Sequence, residues 1–293
     1  MSVARAADPA DPGRDFADFW NRVLAPKFIR YKHIMVDGLT HHSEAIFPSL
    51  PVRQGDAVLD VGCGFADTAI RLARTVGARG RVAGIDCCAA FLDVGRADVA
   101  AAGLSNVTLI LGDAQSYPFE PEYDFVFSRF GTMFFENPVW GLRNMRTALK
   151  PGAAMTMIVW RTIDDNPWLG LPKKVVLDFL PPPGESAETC GPGPFSMANR
   201  DTVTGMLKAA GYLEPAFKRV DAPVRVGKTV KDSTDFQLAL GPAGEVFREA
   251  GELAERRRAE IEAALGEAIA PYQTDEGVVM QSSSWVVTAR NPG

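Results

Sequence analysis

Between residues 51 and 161, short apolar runs alternate with stretches whose apolar positions recur at helical spacing. The runs predict strands at 57–61, 81–86, 107–112, 123–128 and 154–160, and the periodic stretches predict helices at 67–76, 89–102 and 138–149, with looser chain near 114–121. The last helix is well punctuated: Asn137 as cap, Pro138 in the first turn, Leu142, Met145 and Leu149 on one face, and Lys150-Pro-Gly152 as a stop. Alternation of this kind predicts a parallel sheet covered on both faces, with ligands bound over the carboxyl ends of its strands.

The flanks are patterned differently. Residues 1–15, rich in Ala, Asp and Pro, lack the apolar core of a signal peptide and predict a disordered leader. Residues 16–50 predict a helical cap, with Phe16, Phe19/Trp20, Val23/Leu24 and Phe28 at helix intervals. Residues 162–198 are broken by Asn166-Pro-Trp168, Pro181-Pro-Pro-Gly184 and Gly191-Pro-Gly-Pro194, yet apolar enough to wall a pocket, and predict a lid. In 199–293, a helix over 200–212 leads to a strand near 215–225, and a long helical insertion over 230–272 separates it from an apolar run at Ser284–Ala289. The insertion's apolar stripe (Phe247, Ala250, Ala254, Ile261, Leu265, Ala268) must cover the substrate cavity or a second subunit, which admits a homodimer. Arg256-Arg-Arg258 sits among glutamates and reads as a solvated face.

Composition narrows the classes. The chain has 293 residues, 46% hydrophobic and 23% charged, with a net charge of -5. It is long enough to bury a full core and gives no electrostatic footprint for nucleic acid. No apolar run approaches the roughly 20 residues that span a bilayer. The four cysteines, 63, 87, 88 and 190, match no disulfide framework or zinc spacing, so a reduced cytoplasmic chain without a metal is expected. A soft-metalloid site built from Cys87, Cys88 and Cys190 is the weaker alternative to small buried thiols.

Chemistry concentrates at Val58-Leu-Asp-Val-Gly-Cys-Gly-Phe-Ala-Asp-Thr68, a strand, a glycine turn and a helix start. Gly62 and Gly64 allow positive φ and let a ligand lie against bare backbone. Asp67 is placed to cap the helix, whose free N–H groups face the same ligand. A dinucleotide pyrophosphate would meet the Asp67 carboxylate there, which argues against NAD or FAD. The acidic Asp60 before Gly62-Cys63-Gly64 suits a ligand carrying an amine and a sulfonium. Asp86 ends the second strand 26 positions after Asp60, where a carboxylate can accept both hydroxyls of a ribose.

These residues resemble the class I S-adenosylmethionine-dependent methyltransferases, with Ala66 at the family's third glycine position. Gly84-Ile85-Asp86 matches the second motif, Gly112-Asp113-Ala114 the adenine-reading turn, and Leu149-Lys-Pro-Gly152 the approach to the fifth strand. The wider texture is similar to the ubiquinone/menaquinone-biosynthesis small-molecule methyltransferases. The resemblance implies an α/β, Rossmann-like, seven-stranded, mostly parallel sheet spanning the core at 51–161, with Ser284–Ala289 inserted as an antiparallel seventh strand. It implies S-adenosylmethionine as cofactor, held by Asp60, Gly62, Cys63, Gly64, Asp86, Cys87, Asp113, Ala114 and Ser128.

In-line attack on a sulfonium methyl needs alignment above all, and a base only for carbon or hydroxyl nucleophiles. Histidine is the usual near-neutral base, so the cap offers His33 and Tyr31 as catalytic candidates, with Arg129 after the fourth strand. His41-His42, adjacent in sequence, diverge on a helix and form no metal clamp. Met133, Phe134, Trp160 and Trp168 are the expected acceptor-binding residues. No Asn/Asp-Pro-Pro-Tyr or Pro-Cys signature is present, so a small, hydrophobic acceptor is expected. Two other classes remain open: a cofactor-binding regulatory or partner protein without methyl transfer, and a nicotinamide-dependent oxidoreductase.

Overall fold

The computed structural model describes residues 17–184 and 191–292. The leader 1–15, Phe16 and Cys190 lie outside the described residues, and with Cys190 the three-thiol site. One sheet organises the molecule. Its strands are β1 (Ala57–Val61), β2 (Arg81–Asp86), β3 (Val107–Leu111), β4 (Tyr123–Arg129), β5 (Leu149–Trp160), β6 (Leu213–Gly227), β7 (Gln273–Thr274) and β8 (Gly277–Arg290). They lie in the order β3-β2-β1-β4-β5-β8-β6, with the two-residue β7 paired to the start of β8. β1 to β5 pair in parallel, while β8 runs antiparallel between β5 and β6. The sheet is thus mostly parallel, with an eighth, very short strand added to the seven expected.

Burial explains the pattern. Every residue of β1 is buried, which is why it reads as a continuous apolar run broken only by Asp60. The helix Asp67–Val76 buries Thr68, Ala69, Leu72, Ala73 and Val76, and Ala89–Ala101 buries Phe91, Leu92, Gly95 and Val99. β5 begins at Leu149, before Lys150-Pro-Gly152, because its pairing with β4 shifts register between Tyr123 and Phe125 and Gly152 absorbs the irregularity at φ +76°. The preceding helix accordingly ends at Thr147.

Beyond the core, three differences from the sequence pattern have physical causes. Residues 162–198 contain a helix, Pro167–Leu177, whose internal Pro172 disguised it. The 230–272 region is not one long helix but four α-helices, Val230–Ala239, Gly241–Glu249, Glu252–Arg256 and Arg258–Ile269, ending in the 3-10 turn Ala270–Tyr272 and interrupted at Leu240, at Gly251 with φ +53° and at Arg257. Its apolar stripe is consumed inside the chain, with Phe247, Ala254, Ile261 and Leu265 all buried in the same core as the sheet. That stripe therefore supplies no reason for a second subunit. No helix of the described residues is long and apolar enough to cross a membrane.

The N-terminal segment folds as Trp20–Leu24, Ala25–Arg30 and Lys32–Glu44. Asn21 fastens it over the sheet: its Nδ2 donates to the Cys87 carbonyl at 3.1 Å, and its Oδ1 accepts from the Ala89 N–H at 3.0 Å. Cys88, the N-cap of Ala89–Ala101, provides no side-chain cap, so Asn21 caps that helix from a distance.

Candidate active site

A cavity of about 250 Å³ opens over the carboxyl ends of β1 to β4. One end is the glycine turn. Gly62 and Gly64 hold φ +67° and +51°, and a Cβ on Gly62 would come within 3.0 Å of the Gly131 Cα, so the ends of β1 and β4 can meet only because both residues are glycine. At Gly64 the Cβ position has no protein atom within 4 Å, leaving backbone bare to the cavity. The Gly62 and Cys63 N–H groups donate to the Ile85 carbonyl at 2.9 and 3.1 Å. Asp86 straps the rest: its two oxygens accept from the N–H groups of Gly64 and Cys88, each at 2.9 Å. A carboxylate has about four acceptor positions, so each oxygen keeps capacity for a further donor. Burial pushes the Asp86 carboxyl up, and the backbone N–H groups of Cys88, Gly64 and Cys87 oppose that rise.

Asp113 and Ala114 line the same end. Asp113 Oδ1 accepts from the Gln115 N–H at 2.9 Å, and the Ala114 carbonyl accepts from Asn144 at 2.9 Å, fixing the turn after β3. Cys63 and Cys87 are wall residues, and burial pushes both thiols up, so they stay protonated and unreactive.

Several expected residues sit elsewhere. Asp60 does not reach the cavity: it is fully buried beneath the turn, with Oδ2 accepting from Thr68 Oγ1 at 2.6 Å and Oδ1 without a partner. Thr68 is the wall residue above it. Ser128 is likewise fully buried, its hydroxyl unpartnered, and stands outside the wall. Asp67 does not cap its helix. Ala66 is the N-cap, left-handed at φ +63° with no side-chain bond, and Asp67, the first helical residue, pairs with Arg129 at 2.7 Å instead. Arg129 does line the cavity but is neutralised by that pair. His33 is exposed and away from the cavity, because its helix buries Ile34, Gly38, Leu39 and His42, a stripe that excludes it. Tyr31 is buried against Phe236, with ring centroids 5.4 Å apart, and opens onto a neighbouring cavity.

The other end is aromatic. Met133, Phe134, Trp160 and Trp168 are all wall residues. Phe130, which the pattern did not single out, stacks on Trp160 at 3.8 Å with 17° between planes, and does so with φ +56°, strained for a bulky side chain. The Phe130 N–H donates to the Ile158 carbonyl at 2.8 Å and holds the conformation. Trp20, Phe28 and Met35 close the cavity from the N-terminal helices; the helical spacing of Trp20 and Phe28 was visible, their partner was not.

His42 underpins this end. Its ring meets Phe130 and Trp160 edge-on at 5.6 and 5.1 Å, and its two nitrogens bond Ser284 Oγ at 2.8 Å and Ser282 Oγ at 2.7 Å. Burial, aided by His41 and Arg129, drives it down to about 4, so it stays neutral near pH 7 and positions the ring pair. Burial moves Asp60 the other way, up to about 7. The two signs oppose. His42 stabilises the fold fully above its unfolded pKa of 6.5, and that contribution, about 3 kcal/mol, is lost as pH falls toward 4. Asp60 contributes a comparable stabilisation below 3.8 that is lost as pH rises through about 7. Urea unfolding at pH 4.5, 5.5 and 6.5 should show a shallow profile for the wild type. His42→Gln should gain stability on acidification relative to wild type, and Asp60→Asn should lose it; matching slopes for all three proteins would contradict this assignment.

Residues 58–152, the stretch that carries the glycine turn, Asp86, Asp113 and Ala114, match the family model described as a methyltransferase domain. Among particular proteins, the chain is similar to the demethylmenaquinone methyltransferase of Listeria monocytogenes, 41% identical over 108 residues, covering 36% of this chain and 46% of that one. This chain thus spans about half the length of that relative. The enzyme of the same name from Staphylococcus epidermidis is 29% identical over 179 residues, 57% of this chain and 72% of that one. Two solved structures share the fold. The YcgJ protein of Bacillus subtilis aligns with a TM-score of 0.56 at 15% identity, over 86% of this chain and 99% of its own. Phosphoethanolamine N-methyltransferase 2 of Haemonchus contortus, in complex with S-adenosyl-L-methionine, aligns with a TM-score of 0.58 at 16% identity, over 95% of this chain and 60% of its own.

Proposed function

We propose that the chain transfers a methyl group from S-adenosylmethionine to a small hydrophobic molecule. The observation that carries this is the pairing, within one cavity, of a bare glycine cradle strapped by Asp86 with an aromatic chamber around Phe130 and Trp160. The residues fit the cofactor. Asp86 has acceptor capacity for ribose hydroxyls, Asp113 and Ala114 offer an acceptor and a backbone donor for adenine, and Gly62, Cys63 and Gly64 give unobstructed backbone. When bound, the cofactor supplies a methyl group activated on a sulfonium.

The chain's own part is alignment and exclusion of water. Phe130, Met133, Phe134, Trp160 and Trp168 present apolar surface to the acceptor, while residues 17–50 act as a cap and 162–184 as a lid, supported by Trp20, Phe28 and Trp168 in the wall. Such alignment can supply roughly 7–11 kcal/mol of the barrier. Of the titratable groups near the chamber, Asp67 is held by Arg129 and His42, outside the wall, spends both nitrogens on serines, while Glu245 lines the cavity with its carboxyl pushed up by burial. The apolar chamber and the name shared by the bacterial relatives support a quinone-like or similarly flat acceptor. The net charge of -5 supports a small molecule over nucleic acid, and three free, unpaired thiols among the described residues support a cytoplasmic setting. Incubation with S-adenosylmethionine and a panel of hydroquinones, phenols and amines should release S-adenosylhomocysteine with an apolar aromatic acceptor. Cofactor binding without turnover on any cell extract would instead favour a regulatory protein.

A further inference from the structure

Beside the active-site cavity lies a second one, of about 500 Å³, where the helix Ala25–Arg30 meets Val230–Ala239 and Gly241–Glu249. The two share Ala239 and Arg248 in their walls, so they adjoin. Lys27, Arg30, Arg248 and Arg258 face the second cavity, against Asp235 and Glu255. Most of these charges are already matched. Asp235 is bound by Lys231 at 2.7 Å, Arg258 by Glu255 at 2.8 Å and Glu262 at 3.3 Å, and Arg248 by Glu249 at 2.9 Å.

Lys27 and Arg30 are not matched: neither has a carboxylate partner among the described residues. Three positions apart on one helix, they share a face. Lys27 is half-buried, and its burial, with Arg248 nearby, pushes its ammonium down. A partly desolvated cation without a counter-charge is costly, and a bound anion relieves that cost. Tyr31 adds a donor. Its ring lies under Arg30 at 5.3 Å, and burial pushes the phenol up, which keeps its O–H protonated.

We propose that the second cavity is an anion subsite, taking the carboxylate or phosphate head of an amphiphilic acceptor whose apolar body occupies the aromatic chamber. This rests on the methyl-transfer function above and narrows its substrate class to apolar molecules with one anionic end. Lys27 and Arg30 supply charge, Tyr31 a hydrogen bond, and Arg248 the junction between the cavities.

Decanoate, decyl phosphate and decanol are suitable probes, titrated by tryptophan fluorescence with S-adenosylhomocysteine binding measured separately by calorimetry. Both anions should bind about tenfold or more tighter than decanol, as a charge-assisted contact implies. Lys27→Gln and Arg30→Gln should each weaken the anions several-fold, leaving decanol and S-adenosylhomocysteine affinities at wild-type values. Equal affinity for the three amphiphiles, no binding of any, or anion affinity indifferent to both substitutions would overturn the subsite. If the anions behave as expected while S-adenosylhomocysteine does not bind, the subsite stands and the cofactor assignment falls.

Discussion

Asp86→Ala should lower the affinity for S-adenosylhomocysteine by roughly two orders of magnitude, the equivalent of about 3 kcal/mol. Two effects add. The variant loses the carboxylate oxygens available to a diol, each charged hydrogen bond being worth about 1.5–3 kcal/mol. It also frees the Gly64 and Cys88 N–H groups that those oxygens now hold at 2.9 Å, so the turn loses its strap. Asp86→Asn separates the two, since an amide keeps one acceptor oxygen. It should retain most of the thermal stability that Asp86→Ala loses, yet still bind the ligand at least tenfold more weakly than wild type, a difference of about 1.4 kcal/mol. Calorimetric titration of both variants, beside their melting temperatures, checks this; wild-type affinity in either would remove Asp86 from the site.

Trp160→Ala should be the most destabilising substitution at the acceptor end, by about 3–5 kcal/mol, the usual cost of truncating a buried tryptophan. Trp160 is 3% exposed, closes β5, stacks on Phe130 and meets His42 and Trp168 edge-on. Its loss also removes the ring stacked on Phe130, leaving the N–H bond to the Ile158 carbonyl to hold φ +56° alone. Trp160→Phe keeps an aromatic face and should recover more than half of the loss. Urea denaturation measures both, and a Trp160→Ala cost under about 1 kcal/mol would show that the ring stack carries little of the packing.

Where side-chain period and turn chemistry are local, the sequence already contained the fold. β1, β2 and the helix Asp67–Val76 have the ends that apolar runs and glycines mark, because a buried parallel strand has little choice of residue and a positive φ little choice but glycine. That Gly62, Gly64, Asp86, Asp113 and Ala114 share one cavity wall has the same cause, since all of them close or follow β1, β2 and β3. What could not be read depends on contacts distant in the chain. His42 matters through Ser282 and Ser284, some 240 positions away, and nothing near it in sequence marks it over His33. Asp60 was visible as a carboxylate in an apolar strand, but its burial under Thr68 was not. Ala66 shows the limit of motif reading: alanine holds a left-handed position where glycine is usual, at a cost of about 1–2 kcal/mol. Ala66→Gly should therefore bind S-adenosylhomocysteine as wild type does.

On the function proposed above, the cavity over β1 to β4 binds one nucleoside with its ribose on Asp86. Isothermal titration of the full chain with S-adenosylhomocysteine, with NAD as the parallel ligand, tests it most directly. The structure predicts saturable binding of one S-adenosylhomocysteine per chain and no heat from NAD; silence with S-adenosylhomocysteine, or saturation by NAD, would contradict it.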